Sequence, residues 1–241
     1  MSSLLVVDSL SKRFGGFAAL TNVSLSVAPG ERLGIIGPNG SGKTTLINCI
    51  SGALRGDAGT IRFNNQNVSQ LASHRRTHLG MARSFQSPRP FSSMSLVENI
   101  AVALEYAPHQ RAARGGTIAS EAQALLEQMG LSDKSQSKPP VLTQVDLRKL
   151  ELARALATRP RLLILDEAMA GLATSEVDEM LGIVMTVNGG GVAVIMIEHI
   201  MRAIMKFSER VICLDAGSVV AEAAPAAIIQ DPMVRRIYLG A

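Results

Sequence analysis

The stretch GPNGSGKT, residues 37–44, decides the fold because it matches the pattern GxxxxGK[ST]. An apolar segment at residues 33–36 precedes it and predicts a buried strand, and a helical pattern runs from Lys43 to about Ile50. Glycines allow backbone N–H groups to approach a phosphate closely, and a helix N-terminus adds partial positive charge there. This strand–loop–helix order predicts a phosphate-binding loop; the alternative is a glycine-rich turn that matches by chance.

The loop and the start of its helix supply most of the predicted nucleotide contacts. Lys43 is expected to reach the β and γ phosphates of a nucleotide, and the Thr44 hydroxyl is expected to bind Mg²⁺. The predicted nucleotide-binding residues of this segment are Gly37, Pro38, Asn39, Gly40, Ser41, Gly42, Lys43, Thr44 and Thr45.

A second chemical signal comes from two adjacent carboxylates after an apolar run. Residues 162–165 predict a buried strand, and Asp166 and Glu167 follow at its carboxyl end, where ligands bind in open parallel sheets. We expect Asp166 to hold the Mg²⁺ shell and Glu167 to polarise an attacking water. An acidic pair at a strand end is a weak signal alone, but the phosphate-binding loop strengthens it. Glu167 favours water attack, since a kinase or small GTPase would not need this second acid.

Two further polar residues leave their roles open. His199 follows a predicted strand at residues 192–197, so its ring either contacts the γ-phosphate or lies on the surface without a role. Gln86 is a weak signal by itself. Their spacing from the other motifs does not show whether His199 or Gln86 has a role at the site.

Continuous β runs alternate with helices along much of the chain. This order predicts an α/β fold, a P-loop NTPase core with a mostly parallel sheet, an antiparallel β portion near the N-terminus and an inserted helical subdomain. Ser120 is the expected N-cap of one helix in the insertion, and Leu147 opens the next predicted helix. The predicted divisions are a first core part at 1–85, a helical subdomain at 86–146, and a second core part with the C-terminal tail at 147–241.

Composition restricts the class of protein. Hydrophobic residues make up 47% and charged residues 18%, which is typical of a globular chain. The net charge of +4 is modest, and the densest basic cluster, Arg75 and Arg76, has no aromatic neighbours, so we expect no nucleic-acid partner. Cys49 and Cys213 are expected to be reduced core residues. We also expect no signal peptide, because Asp8 breaks the apolar stretch at residues 4–7. We expect no membrane span, because no apolar run approaches about 20 residues.

Taken together, the motifs resemble the ATPase subunits of the ABC transporter superfamily over essentially the whole chain. Within it, the chain looks most like the subunits of branched-chain or other hydrophobic amino-acid importers. The resemblance rests on KRFGG at 12–16, the loop at 37–44, RSFQ at 83–86, LELARALA at 150–157, LDE at 165–167, IEH at 197–199 and RIYLG at 236–240.

The resemblance implies roles that the residues alone leave open. It places Phe14 against the adenine ring and makes His199 the γ-phosphate switch. It makes Gln86 a contact of the metal or of its water and a sensor of the membrane partner. The implied catalytic residues are Lys43, Glu167 and His199. It implies ATP and Mg²⁺ as cofactors and peripheral attachment to the cytoplasmic face of the membrane. The implied partners are transmembrane permease subunits docking near Gln86, a second ATPase subunit (the same chain or a different one), and indirectly a substrate-binding protein.

The chain also departs from the family pattern. The usual signature LSGGQ is replaced by LTQVD at residues 142–146, so the segment expected to reach the partner's ATP consists of Thr143, Gln144, Val145 and Asp146. We expect Gln144 and Val145 to hinder close approach and Asp146 to add negative charge near the phosphates, although Thr143 and Asp146 can cap the next helix. Ala168 replaces the usual Pro, and Ala173 stands where the family has Asp or Asn.

These departures leave rival hypotheses open. The segment 143–146 is either a contact to the partner's nucleotide or only a helix cap. The chain is then either a hydrolysing subunit, a catalytically weak regulatory partner of a second ATPase, or an ABC ATPase for another substrate. An ABC ATPase acting on DNA or ribosomes is disfavoured, since the chain has neither two ATPase domains nor a long coiled-coil insertion.

Overall fold

The computed structural model describes residues 3–84, 88–107 and 116–239. The strands in these ranges are β1 (Leu5–Phe14), β2 (Phe17–Val27), β3 (Arg32–Ile36), β4 (Ala58–Phe63), β5 (Gln66–Asn67), β6 (Met81–Ser84), β7 (Leu162–Asp166), β8 (Ala193–Ile197), β9 (Arg210–Asp215) and β10 (Ser218–Ala223). The α-helices are α1 (Lys43–Ser51), α2 (Ser73–His78), α3 (Leu96–Glu105), α4 (Ile118–Gln128), α5 (Gln144–Ala157), α6 (Thr174–Gly189), α7 (Met201–Phe207), α8 (Pro225–Ile228) and α9 (Pro232–Leu239), with 3₁₀ turns at Ser132–Lys134 and Pro139–Val141. None of these helices is long and apolar enough to cross a membrane.

The central sheet has the strand order β10-β9-β3-β8-β7-β6. Its strands pair in parallel from β9 through β6, and β10 joins the edge antiparallel to β9. Every residue of β7 and β8 is buried, as is typical of parallel strands covered on both faces. The mostly parallel α/β core predicted from the apolar runs is therefore confirmed.

A second, antiparallel sheet with the order β2-β1-β4-β5 confirms the predicted N-terminal β portion. The pairing of β1 with β2 slips between Val7 and Leu10, and Ser9 has a positive φ of 51°. This irregularity breaks the alternation of apolar and polar residues, so β1 does not show the period of a regular strand.

Two hydrophobic clusters cover the two faces of the central sheet. Leu162 and Ile164 of β7 pack in a cluster with the N-terminal sheet and α1. Leu163 and Leu165 point the other way, into a cluster with residues of α3 to α7. The alternation along β7 thus places the strand end between the two layers of the protein. The boundaries at 85/86 and 146/147 remain a prediction.

Two helix starts differ from the sequence-based prediction. The N-cap of α4 is Thr117, whose hydroxyl accepts a hydrogen bond from the Ser120 N–H, so Ser120 lies inside the helix rather than before it. Helix α5 begins at Gln144, three residues before Leu147, because Thr143 and Asp146 form a complete capping box.

Candidate functional site

The loop at 37–44 connects β3 to α1, and its conformation requires glycine. Gly37, Gly40 and Gly42 have positive φ angles of 153°, 81° and 104°. A Cβ on Gly37 would overlap the carbonyl oxygen of Leu214, and one on Gly42 would lie 2.7 Å from the carbonyl oxygen of Ala19. Gly42 is also the N-cap of α1 and offers no side-chain acceptor, so the first N–H groups of the helix are not capped by a side chain. Such a helix start suits an anionic ligand.

Lys43 is buried against the loop that it follows. Its ammonium donates hydrogen bonds to the carbonyl oxygens of Gly37 at 2.6 Å and of Pro38 at 2.9 Å. Burial lowers the pKa of Lys43, while the negative charges of Glu167 and Asp166 act in the opposite direction. The lysine is thus held at the loop together with the two acids that end β7.

Asp166 lies at the carboxyl end of β7 and is paired with an arginine from the neighbouring strand. Arg83 of β6 contacts the Asp166 carboxylate at 2.6 Å, and their side chains are only 10% and 8% exposed. The same guanidinium donates to Asn48 of α1 at 2.6 Å. This cation therefore joins β6, β7 and α1 around the predicted metal ligands. Arg83 is the first residue of the RSFQ motif, and the sequence alone does not indicate this role.

The residues at this position fit a magnesium ion. Thr44 and Asp166 line the same cleft and bring a hydroxyl and a carboxylate, and Mg²⁺ prefers oxygen ligands with few protein groups beside phosphate. No cluster of three or more His, Cys, Asp or Glu suited to a metal occurs among residues 3–84, 88–107 and 116–239. The metal would thus depend on the nucleotide for part of its shell. The third predicted contact, Gln86, lies outside the described residues.

Glu167 and His199 face each other across two strand ends. The Glu167 Oε1 lies 2.7 Å from the His199 Nε2. Glu167 has a positive φ of 50°, which is uncommon for a residue other than glycine, and its N–H donates to the carbonyl of Ile197 at 2.9 Å. The bond between β7 and β8 stabilises this conformation and directs the carboxylate towards the histidine.

Glu198 is a buried acid that sequence reasoning quoted only within the IEH motif. It is 2% exposed, and its Oε1 accepts a hydrogen bond from the N–H of Met169 at 2.8 Å. Burial raises the pKa of Glu198 to about 7, and the nearby negative charges of Glu167 and Asp166 act in the same direction. The Met169 hydrogen bond and the charge of Arg148 oppose this rise. Glu198 thereby holds the segment after Glu167 against the strand that carries His199.

One cleft collects most of the predicted nucleotide contacts. It has a volume of about 250 Å³ and is lined by residues of the loop, by Phe14 and by Glu167 and His199. Phe14 is 50% exposed, with the Lys12 ammonium 5.6 Å from the centroid of its ring, so part of the ring is open to a planar ligand. Phe17 lines the same cleft and was missed, because nothing in its sequence context marks it as different from other strand aromatics.

The segment 143–146 differs from the expectation in two respects. Val145 is only 9% exposed and packs into the core, so it does not obstruct the surface. The Asp146 carboxylate is 2.8 Å from the Lys134 ammonium, which compensates the negative charge that we expected near the phosphates. Gln144 remains exposed, and its amide donates to the carbonyl of Ala170 at 3.4 Å. Thr143 is exposed and caps α5.

The two cysteines take no part in this chemistry. Both are buried and free, as predicted. Burial raises the pKa of each thiol to about 11, so neither has the character of a nucleophile.

Comparisons with known proteins identify a family, relatives and solved structures to which the chain is similar. The family model described as ABC transporter matches residues 20–170. The high-affinity branched-chain amino acid transport ATP-binding protein LivG of Escherichia coli (strain K12) is 35% identical over 252 residues, covering 98% of each chain. The lipopolysaccharide export system ATP-binding protein LptB of Acidithiobacillus ferridurans is 34% identical and covers 100% of this chain and 98% of its own. The crystal structure of the ADP conformation of MJ1267, an ATP-binding cassette of an ABC transporter, is 30% identical with a TM-score of 0.90 over 100% of both chains.

Proposed function

Since the chain belongs to the ABC transporter family and is an ATPase of it, we propose that it hydrolyses ATP between two ATPase subunits and thereby drives import of branched-chain or other hydrophobic amino acids. The observation that carries the hydrolytic part is the contact of Glu167 with His199 at 2.7 Å, in the same cleft as the phosphate-binding loop. A carboxylate at this place can act as a general base towards water.

The proposed mechanism assigns one task to each side chain. The loop amides and the ammonium of Lys43 bind the phosphates, and the developing charge is stabilised by the same donors. Thr44 and Asp166 would hold Mg²⁺, and the bound ion would neutralise negative charge on the nucleotide. Glu167 accepts a proton from water while the water oxygen bonds to the γ-phosphorus, the bond from that phosphorus to the β–γ bridging oxygen breaks, and ADP leaves. His199 keeps the Glu167 carboxylate oriented and contacts the γ-phosphate. Phe14 packs against the adenine.

A second ATPase subunit completes the proposed assembly. The exposed Thr143 and Gln144 at the start of α5 are the groups that would face the partner's nucleotide, and the compensated charge of Asp146 supports this role. The rival hypothesis is a catalytically weak regulatory chain, which is favoured by the missing glycines of the segment and by Ala173. In that case α5 has only a capped start and no role at the partner's site.

Permease subunits are the proposed membrane partners, and their docking is proposed near Gln86. A cleft of about 620 Å³ is lined by residues of β6, α3 and α5, including Arg83 and Arg154, and by Arg89 of the segment between β6 and α3. Its inner wall contains Thr44 and Asp166, so a partner docked in this cleft would be close to the predicted metal ligands. Attachment of the chain to the cytoplasmic face of the membrane would follow from this docking.

The proposed transported substrate is a branched-chain or other hydrophobic amino acid. LivG, and BraF of Pseudomonas aeruginosa at 33% identity, are named for branched-chain amino acid transport, which supports an amino-acid substrate. LptB, at 34% identity, is named for lipopolysaccharide export and favours a second candidate, an ABC ATPase serving another substrate. Purification of the native complex tests this, because the proposal predicts permease subunits together with a protein that binds branched-chain amino acids. A complex that lacks any amino-acid-binding subunit would contradict it.

The hydrolytic role of Glu167 is tested by Glu167→Gln. This change keeps the shape of the side chain and removes the base, so we expect ATP binding to persist while turnover falls by at least ~10². Steady-state phosphate release and equilibrium binding measure the two quantities. Glu127→Gln, on the exposed face of α4, is the matched control and is expected to leave both unchanged. Undiminished turnover in Glu167→Gln would remove this residue from its assigned role, and binding without turnover in the unmodified chain with its partner would favour the regulatory alternative.

A further inference from the structure

The C-terminal helix α9 is firmly attached to the body of the protein. Its start is capped by Asp231, whose carboxylate accepts hydrogen bonds from the N–H groups of Met233 at 2.8 Å and Val234 at 3.2 Å. Val234 is 4% exposed and Ile237 packs beside it against the helical core. Tyr238 follows Ile237 directly, so its position relative to the core is fixed by this packing.

Tyr238 reaches the phosphate-binding loop. Its phenol oxygen accepts a hydrogen bond from the N–H of Gly37 at 2.5 Å, although the two residues are 201 positions apart in the chain. Burial raises the pKa of Tyr238 to about 12, although 39% of the residue remains exposed. The phenol is therefore neutral at physiological pH and keeps both its oxygen acceptor and its proton.

Gly37 is held from two sides. Its N–H is bound by Tyr238, and its carbonyl oxygen accepts a hydrogen bond from the Lys43 ammonium at 2.6 Å. Its backbone also packs against Leu214, because a Cβ built on Gly37 would overlap the Leu214 carbonyl oxygen. A shift of the Gly37 N–H would therefore move the carbonyl that orients Lys43.

We infer that Tyr238 is a positioning residue of the nucleotide site: it fixes the first residue of the phosphate-binding loop and, through Gly37, the place of the Lys43 ammonium. The C-terminal helix then belongs to the nucleotide-binding machinery and is more than a packing element. This inference rests on the proposed nucleotide binding by the loop. It deepens that proposal by adding a residue from outside the P-loop motif and the strand-end acids.

The variant Tyr238→Phe tests the inference because it keeps the ring and removes the oxygen. A hydrogen bond of this kind contributes a factor of roughly 3 to 10, so we expect the Kd for Mg-ATP and the KM for ATP to rise by that factor. The kcat is expected to fall by no more than the same factor, since Tyr238 acts on the phosphates only through Gly37 and Lys43 and leaves Glu167 untouched. Tyr106→Phe is the matched control, because Tyr106 is 77% exposed, and it should leave Kd and KM unchanged.

Calorimetric titration with Mg-ATP of the unmodified chain and both variants decides the matter. A Kd for Tyr238→Phe equal to that of the unmodified chain would overturn the inference, even if the melting temperature falls, because a purely structural role lowers stability alone. An unmodified chain that binds no nucleotide would overturn the proposed function and this inference together.

If Tyr238→Phe does not fold, a spectroscopic measurement on a different variant tests the inference instead. The chain has two tyrosines and no tryptophan, so Tyr238 is the only tyrosine in the Tyr106→Phe variant. We expect the tyrosine emission of this variant to change on saturation with Mg-ATP. Emission that stays the same at saturation would then overturn the inference.

Discussion

Glu198 should make the stability of this protein depend on pH in an unusual direction. The side chain is 2% exposed and its carboxyl receives one backbone hydrogen bond, from Met169. Burial raises the pKa of Glu198 from 4.5 to about 7, so the folded chain retains a proton that the unfolded chain has already released in this range. Stability from this group is complete below pH 4.5 and is lost as the pH rises to about 7 and beyond.

The size of the effect follows from the two pKa values. A difference between 4.5 and about 7 corresponds to a free energy on the order of 3 kcal/mol. The charged groups that face Glu198 are already included, with Glu167 and Asp166 raising its pKa and Arg148 lowering it. Glu198→Gln keeps an acceptor oxygen for the Met169 N–H and cannot ionise, so the variant should lack this pH dependence.

The assay compares urea unfolding of the unmodified chain and Glu198→Gln from pH 4.5 to pH 8.5. We expect the variant to gain stability relative to the unmodified chain by about 3 kcal/mol over this range, because other titrating groups are shared and cancel in the difference. Glu127→Gln, an exposed control, should show a constant difference. A free-energy difference between Glu198→Gln and the unmodified chain that does not change with pH would mean that Glu198 has the same pKa in the folded and the unfolded chain.

Three further substitutions test the loop and the buried arginines. Gly42→Ala should weaken nucleotide binding at least ~10-fold, because it places a Cβ 2.7 Å from the Ala19 carbonyl oxygen at a φ of 104°. An unchanged Kd for Mg-ATP in calorimetry would contradict this prediction. Arg76→Met should lower the free energy of unfolding in urea by about 3 kcal/mol, since Arg76 is 1% exposed and loss of its guanidinium leaves buried carbonyl oxygens unpaired. A decrease under ~1 kcal/mol would mean that water takes the place of the guanidinium. Arg83→Met should destabilise the nucleotide-free chain by about 3–5 kcal/mol, because it removes the cation paired with the Asp166 carboxylate. In thermal unfolding, Mg-ATP should stabilise this variant more than the unmodified chain, and equal stabilisation of the two would contradict the pairing.

The phosphate-binding loop and the parallel sheet were accessible from sequence because both depend on local patterns. A glycine-rich loop between an apolar strand and a helix has a narrow set of conformations, and strand ends such as Asp166 lie at one edge of the sheet. The cap of α5 by Thr143 was likewise readable, since a capping box spans only four residues.

The contacts that were missed join residues distant in the chain. Arg83 and Asp166 are 83 positions apart, and Gly37 and Tyr238 are 201 positions apart. No periodicity links such pairs, because their approach depends on strand order and on how the terminal helix packs. The orientation of Val145 and the pairing of Asp146 were misjudged for the same reason, as Lys134 becomes a neighbour only in the folded chain.

We propose that the loop at 37–44, with Lys43 inside it, binds the phosphates of a nucleotide beside Asp166, and the other proposed roles depend on this binding. Calorimetric titration of the unmodified chain and of Lys43→Met with ATP, with and without Mg²⁺, tests it most directly. We expect saturable binding that is strengthened by Mg²⁺ in the unmodified chain and weakened at least ~10-fold in Lys43→Met. Equal affinity of the two chains, or binding indifferent to Mg²⁺, would contradict it.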